Sequence, residues 1–188
     1  MDREEEKNLI KSIRDGNISD FEKIVDSYER VLLHIAFYIV GNKEDAEDLC
    51  QEAFIKLFKY INSFLPKKGS LKGYLYKTIS NLCFTHLKKK KLNQKDFYDE
   101  EKSTFANSKE MEGEVYRIVN NLLKLLSPKE RIVFSLREIA DMEYSEIAKM
   151  LKLNEITIRR YYSMAKQNLK ELIEKKYPEY RKFYEKNS

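Results

Sequence analysis

A chain of 188 residues carrying 36 Lys+Arg against 31 Asp+Glu has room for one large domain or two small ones, each with a core of its own. Two cysteines, Cys50 and Cys83, argue against a disulfide framework. The acidic start does not read as a signal peptide, and the longest apolar run, 31–40, is interrupted by His34 and too short to span a bilayer, so a cytoplasmic protein without membrane insertion is expected.

The formal charge of +5 hides strong blocks. Residues 1–65 hold 9 basic and 14 acidic side chains, whereas 66–95 hold nine lysines and no acid. A second acidic block, 96–118, has 7 acids to 3 bases, and 119–188 has 15 bases to 10 acids. Two basic blocks parted by an acidic spacer suit two contacts with a polyanion; the acidic N-terminal block suits a different partner. With 5 Gly, 3 Pro and no alternating pattern, the expected fold is all-α.

In chain order, residues 8–14 predict a short first helix ended by Asp15-Gly16-Asn17. Ser19 and Glu22 have the spacing of a capping box, opening a helix whose Phe21, Ile24, Val25, Tyr28, Leu32, Ile35, Ala36 and Ile39 share a face. Gly41-Asn42 ends it, and Asn42 can cap the helix over 43–60. There Ala46, Leu49, Cys50, Ala53, Phe54 and Leu57 point to a core. Glu44, Asp45, Glu47, Asp48, Gln51 and Glu52 make the opposite face. Acids near a helix N-terminus are favourable by themselves; this cluster exceeds what capping requires and reads as a docking face, with a merely solvated face as the alternative.

Residues 62–70 form a loop broken by Pro66 and Gly69, and residues 71–91 a helix. Leu71, Tyr74, Leu75, Ile79, Leu82, Cys83 and Leu87 make its apolar face, and Lys72, Tyr76, Lys77, Asn81, Phe84, Thr85 and Lys88 its other face. Cations interleaved with aromatics and an amide suit a phosphate backbone and unstacked bases. A solvated lysine face beside half-buried aromatics would look the same. After a polar passage, residues 114–126 predict a helix. Ser127-Pro128-Lys129-Glu130 starts the next one with an N-cap, a proline at the first helical position and a glutamate three residues on.

Residues 144–151 predict a short helix, and 152–154 a tight turn in which Leu153 fills the angle and Asn154 caps the next helix. Ile158, Tyr162, Ala165, Leu169 and Leu172 then make one buried stripe. This is a helix-turn-helix layout, whose second helix can enter a DNA major groove. Glu155, Ile156, Thr157, Arg159, Arg160 and Ser163 are its candidates for base edges and phosphates, and Lys166 and Lys170 for phosphates. An ordinary αα-hairpin with a charged exterior is the alternative.

Three stretches in order, DAEDLCQEAF (45–54), GYLYKTISNLCFTHLKK (73–89) and LSPKERIVFSLREIADMEYSEIAKMLKLNEITIRRYYSMAKQNL (126–169), make the chain resemble a bacterial RNA polymerase sigma factor of the extracytoplasmic-function type. The resemblance implies two small helical domains joined by a flexible linker: domain two over 1–93, a linker over 94–112, and a helix-turn-helix domain four over 113–175, with 176–188 as a tail beyond the family pattern. It implies docking on core RNA polymerase through Asp45, Glu47, Asp48, Gln51 and Glu52. Capture of an opened −10 promoter element falls to Ser63, Lys67, Lys68, Ser70, Lys72, Tyr76, Lys77, Asn81, Phe84 and Lys88. Reading of the −35 element falls to Glu155, Ile156, Thr157, Arg159, Arg160, Ser163 and Lys166. The partners implied are core polymerase and promoter DNA, and the family pattern leaves room for an anti-sigma factor.

Tyr74 stands where the family usually has Trp, Thr85 where Asp is usual, and lysines replace the customary arginines after Leu87. Lysine keeps the charge without the bidentate fork. No catalysis, cofactor or metal is expected, because His34 and His86 lack ligands at metal spacing and no phosphate-binding glycine loop or nucleophile–base pair is visible. The rival reading is a stand-alone dimeric helix-turn-helix regulator, which leaves the acidic face and the lysine helix unexplained.

Overall fold

The computed structural model describes residues 3–66, 69–93, 118 and 121–178, and all regular structure among them is helical. The chain divides into two compact units, Met1–Phe97 and Tyr98–Ser188. The proposed linker 94–112, six of the thirteen residues of the helix expected over 114–126 and most of the tail lie outside the described residues.

The first unit holds α1 (Arg3–Arg14), α2 (Asp20–Val40), α3 (Lys43–Tyr60) and α4 (Leu71–Asn93). Its core is built from Ile24, Leu32, Ile35 and Ile39 of α2, Ala46, Ala53 and Leu57 of α3, and Leu71, Leu75, Ile79 and Cys83 of α4, all essentially buried. Burying each large aliphatic side chain is worth about 1.5–3 kcal/mol, so α2, central in this unit, is held from two sides. α1 begins five residues earlier than its apolar pattern suggests. Glu4, Glu5 and Glu6 form its first turn and Lys11 and Arg14 its last, both favourable to the helix dipole. It ends where Gly16 takes φ +100° and the N–H groups of Gly16 and Asn17 return to the carbonyls of Ile13 and Ser12.

Ser19 does not form the expected capping box. Its backbone is already helical (φ −60°, ψ −26°), so its hydroxyl donates to Asn17 Oδ1 at 2.6 Å instead of receiving an amide. The next junction follows the expectation. Gly41 takes φ 76°, its N–H reaching the Phe37 carbonyl, and the Asn42 side chain accepts from Asp45 N–H at 2.7 Å.

The second unit holds a helical turn at 121–123, then α5 (Pro128–Glu138), α6 (Tyr144–Leu151) and α7 (Glu155–Lys176). Ser127 and Glu130 form the capping box, with Ser127 N–H donating to Glu130 Oε2 at 2.8 Å. Buried Arg131 donates to the Leu126 carbonyl at 3.1 Å, and burial pushes its guanidinium down to about 10. Lys152 adopts the left-handed conformation (φ 55°) that turns α6 into α7. Leu153 does not fill this angle: it is 38% exposed, and the core there is made by Ile147, Ala148, Met150 and Ile158. Asn154 caps α7, accepting from Ile156 N–H at 2.8 Å.

Candidate functional site

Three surfaces carry the candidate residues, two on the first unit and one on the second. On α3, Ala46, Leu49, Cys50, Ala53, Phe54 and Leu57 are buried, which turns the acids outward. They are not equivalent. Asp45 faces α4, with Oδ2 3.1 Å from His86 Nε2 and 3.6 Å from Lys90 Nζ. Glu47 pairs with Lys43 at 3.7 Å and Glu52 with Lys56 at 3.2 Å, both one turn along the same helix. Such pairs contribute only tenths of a kcal/mol and exchange readily for another partner. Asp48 and Gln51 are exposed and have no side-chain partner among the described residues.

The reading of α3 missed the residues that extend this face. Ile55, one turn beyond Gln51, is 52% exposed, and Phe58 is exposed beside it with its ring edge-on to Phe21 at 5.1 Å. An isoleucine inside an otherwise polar stripe was the available signal. Acid, amide and exposed aliphatic groups on one helix face suit a protein partner.

The second surface is α4 and the segment before it. Lys72, Lys77, Asn81 and Lys88 are exposed, and the Lys88 ammonium lies 5.1 Å from the centre of the half-buried Phe84 ring. Tyr76 corrects the sequence reading: it is 4% exposed and belongs to the core, with the Lys72 ammonium 5.6 Å above its ring. Burial pushes its phenol up. Ser70 serves the helix itself, its hydroxyl accepting Gly73 N–H at 3.0 Å, and the exposed Ser63 donates to the Tyr60 carbonyl at 3.0 Å. Lys67 and Lys68 lie outside the described residues.

Tyr74, in the place of the family's Trp, is half-buried and stacks on exposed Tyr60 (5.1 Å, 9° between planes) with Phe64 edge-on at 6.1 Å. Tyr60 was not singled out from the sequence, because the end of α3 gave no sign that its ring would meet α4. The result is an aromatic cluster beside a lysine row, which offers stacking and charge together.

On the second unit, the start of α7 presents Ile156 (76% exposed), Arg160 and Ser163 to solvent, with Thr157 half-buried. Arg159 is engaged: it donates through Nε and Nη2 to Glu155 Oε1 at 2.9 and 2.7 Å, and its guanidinium stacks 4.4 Å from the Tyr144 ring. Arg160 has no partner among the described residues. Lys166 sits 5.9 Å from the Tyr162 ring. The Tyr162 hydroxyl donates to Glu138, and burial together with that carboxylate pushes its phenol well up. This brace fixes α7 against α5, so the exposed positions of α7 stand on a rigid support.

Among the described residues no cluster of His, Cys, Asp and Glu suits a metal ion, and no helix is long and apolar enough to cross a membrane. Cys50 and Cys83 are buried, and burial raises the Cys50 thiol to about 12 and Cys83 further. Thiols held protonated are poor nucleophiles and poor ligands.

Residues 24–92 match the family model of Sigma-70 region 2, and residues 116–169 that of Sigma-70, region 4. The chain is 36% identical over 86 residues to the ECF RNA polymerase sigma factor SigW of Bacillus subtilis (strain 168), covering 45% of each chain. It is 24% identical over 161 residues to the ECF RNA polymerase sigma factor SigE of Mycolicibacterium smegmatis, covering 82% of this chain and 62% of that protein. The match thus spans less than two thirds of the length of these relatives. In fold it is similar to CnrH in complex with the cytosolic domain of CnrY, with a TM-score of 0.69 at 19% identity over 92% of this chain and 99% of the other. It is similar also to the sigma factor RpoE of Bartonella quintana in complex with the anti-sigma factor NepR, with a TM-score of 0.67 at 20% identity over 82% and 97%. Region 2 followed by region 4 on one chain, with relatives of the extracytoplasmic-function type, makes this chain a member of the sigma-70 family in its extracytoplasmic-function group.

Proposed function

We propose that this chain is a transcription initiation factor that joins core RNA polymerase in the cytoplasm and directs it to promoters. The observation that carries the proposal is the pairing on adjacent helices of two surfaces of opposite character: Asp48, Gln51 and Ile55 on α3, and Lys72, Lys77, Asn81 and Lys88 on α4. The first suits a basic protein surface, the second an opened DNA strand. Asp45, Glu47 and Glu52 border the docking face, their present partners being exchangeable. On this reading residues 1–93 dock on core and capture the −10 element. Residues 113–175 read the −35 element through Ile156, Thr157, Arg159, Arg160 and Ser163, and 94–112 link the two.

The work is done by binding rather than by bond-making. Lysines hold the backbone, and bases leaving the duplex exchange their stacking for Tyr60, Phe84 and the loop ahead of α4; such stacking is worth about 1–3 kcal/mol per base. A few captures offset the unstacking of an A·T-rich element. An anti-sigma factor is the further partner this reading admits, supported by the complex of the similarly folded RpoE with the anti-sigma factor NepR.

The deciding experiment is run-off transcription with core polymerase, followed by sequencing of the bound promoters. The expected result is promoter-specific initiation that requires this chain. Tight binding of a duplex operator by the chain alone, with no association with core, would overturn the proposal in favour of a dimeric regulator.

A further inference from the structure

α1 has no part in the surfaces above, yet it is tied to both sides of the segment that leads into α4. Glu6 is buried at 6% exposure. Its Oε1 accepts the Tyr28 hydroxyl at 3.0 Å, and its Oε2 accepts the backbone N–H of Leu71 at 3.2 Å. Leu71 opens α4, so its N–H has no partner inside the helix, and a carboxylate there meets the positive end of the helix dipole. Two turns along α1, Arg14 donates to the Ile61 carbonyl through Nε at 3.1 Å and Nη2 at 2.9 Å, and Nη2 also donates to the Phe64 carbonyl. Ile61 caps the C-terminus of α3. One rod of 12 residues therefore holds the exit from α3 and the entry to α4 at a set spacing. Glu6 and Arg14 are about 12 Å apart along it at the rise of an α-helix.

Leu9, Ile10 and Ile13 already bury α1 against its unit, which accounts for its attachment. A buried carboxylate is an expensive way to add more, since apolar side chains of similar volume serve stability as well or better. What charged hydrogen bonds add is direction: they specify which backbone groups meet α1, and so where α4 starts relative to the end of α3.

We propose that α1 is a positioning element for promoter capture, in which Glu6 and Arg14 fix the placement of Ser63, Lys72 and Asn81 against the −10 strand. The inference rests on the proposed assignment of α4 to that element. Neither Glu6 nor Arg14 touches DNA in it; they act through the backbone at 61–64 and at 71.

The test uses holoenzyme assembled from the full chain and core polymerase, presented with duplex promoters whose −35 element is constant and whose −10 element is randomised. Glu6→Gln removes the charge, and Arg14→Lys keeps the charge while losing the fork. In both variants the preference for the selected −10 bases should fall roughly tenfold, with core affinity unchanged within about twofold. A role confined to stability predicts the opposite: the yield of complex and core affinity drop together, while the surviving complexes keep wild-type base preferences. That outcome overturns the inference. Should Glu6→Gln fail to fold in thermal unfolding, Arg14→Lys decides alone by the same two readouts. Wild-type holoenzyme that selects no −10 sequence overturns the underlying assignment and this inference with it, whereas sharp preferences in the variants overturn the inference alone.

Discussion

Asp45 and His86 join the two proposed surfaces of the first unit: Oδ2 of the aspartate stands 3.1 Å from Nε2 of the histidine across the contact of α3 with α4. This acid of the α3 face is thus engaged partly inside the protein, with Lys90 3.6 Å from the same oxygen. Asp48, one turn on, is exposed and unpaired among the described residues. The two acids should separate by experiment. Asp48→Arg places a cation on the proposed docking face and should cost several kcal/mol of affinity for core polymerase, since like charges brought together against the basic partner surface proposed above are that unfavourable. Its unfolding midpoint should match the wild type, as surface changes fall within about 0.5 kcal/mol. Unaltered core affinity would remove the docking assignment.

Asp45→Ala tests the other half of that relationship. Loss of a partly exposed pair should lower stability by about 0.5–1 kcal/mol. Added salt should shrink the difference, because screening weakens what remains exposed. Denaturant unfolding of both proteins at low and high salt measures it; a difference that grows with salt would show that Asp45 does not act through His86 and Lys90.

The adjacent arginines of α7 should also part company. Arg160 is free to reach DNA, and Arg160→Ala should weaken −35 binding by roughly 1–3 kcal/mol if a base contact is lost, or lower affinity evenly across sequences if the contact is to phosphate. Arg159 must first leave Glu155 or carry it along, so Arg159→Ala should cost less. Glu155→Ala should then strengthen non-specific DNA binding by freeing a cation. Titration of holoenzyme against matched and scrambled −35 duplexes distinguishes these outcomes.

Much of this was legible because local signals and apolar periodicity agreed. The bounds of α3 and α6 follow from Asn42 and from the inward-facing Ile147 and Ala148, where nothing competes with the cap or the stripe. The reading went wrong where a side chain had a second suitor. Ser19-Asp20-Phe21-Glu22 has the spacing of a capping box, but the preceding turn is already helical, and Asp20 instead receives the Ser12 hydroxyl at 2.5 Å. Tyr76 has an amphipathic ring that suits either face, and tertiary packing places it in the core. Glu6 lies ahead of the helix expected over 8–14, and only tertiary structure reveals that it receives Tyr28 and the first amide of α4.

His34 gives the first unit a pH dependence whose sign is fixed. It lies half-buried on α2, where burial first and Arg30 second hold its imidazole below the ordinary value of 6.5. In the unfolded chain it takes up a proton near 6.5. Between that value and the lower folded one, the unfolded state binds more protons, so stability rises with pH across this window. The neutral form is accommodated fully above 6.5, and stability drains as the pH falls beneath it. Asp20 acts in a separate, lower window: its hydrogen bonds to Lys23 and Ser12 hold its carboxyl below the usual 3.8, so its contribution is present above that value and is lost on further acidification. His34→Gln should therefore flatten the midpoint of thermal unfolding between about pH 7 and pH 5 without altering its fall in stronger acid. A variant whose midpoint falls in parallel with the wild type across that interval would show that the imidazole is not the group responsible.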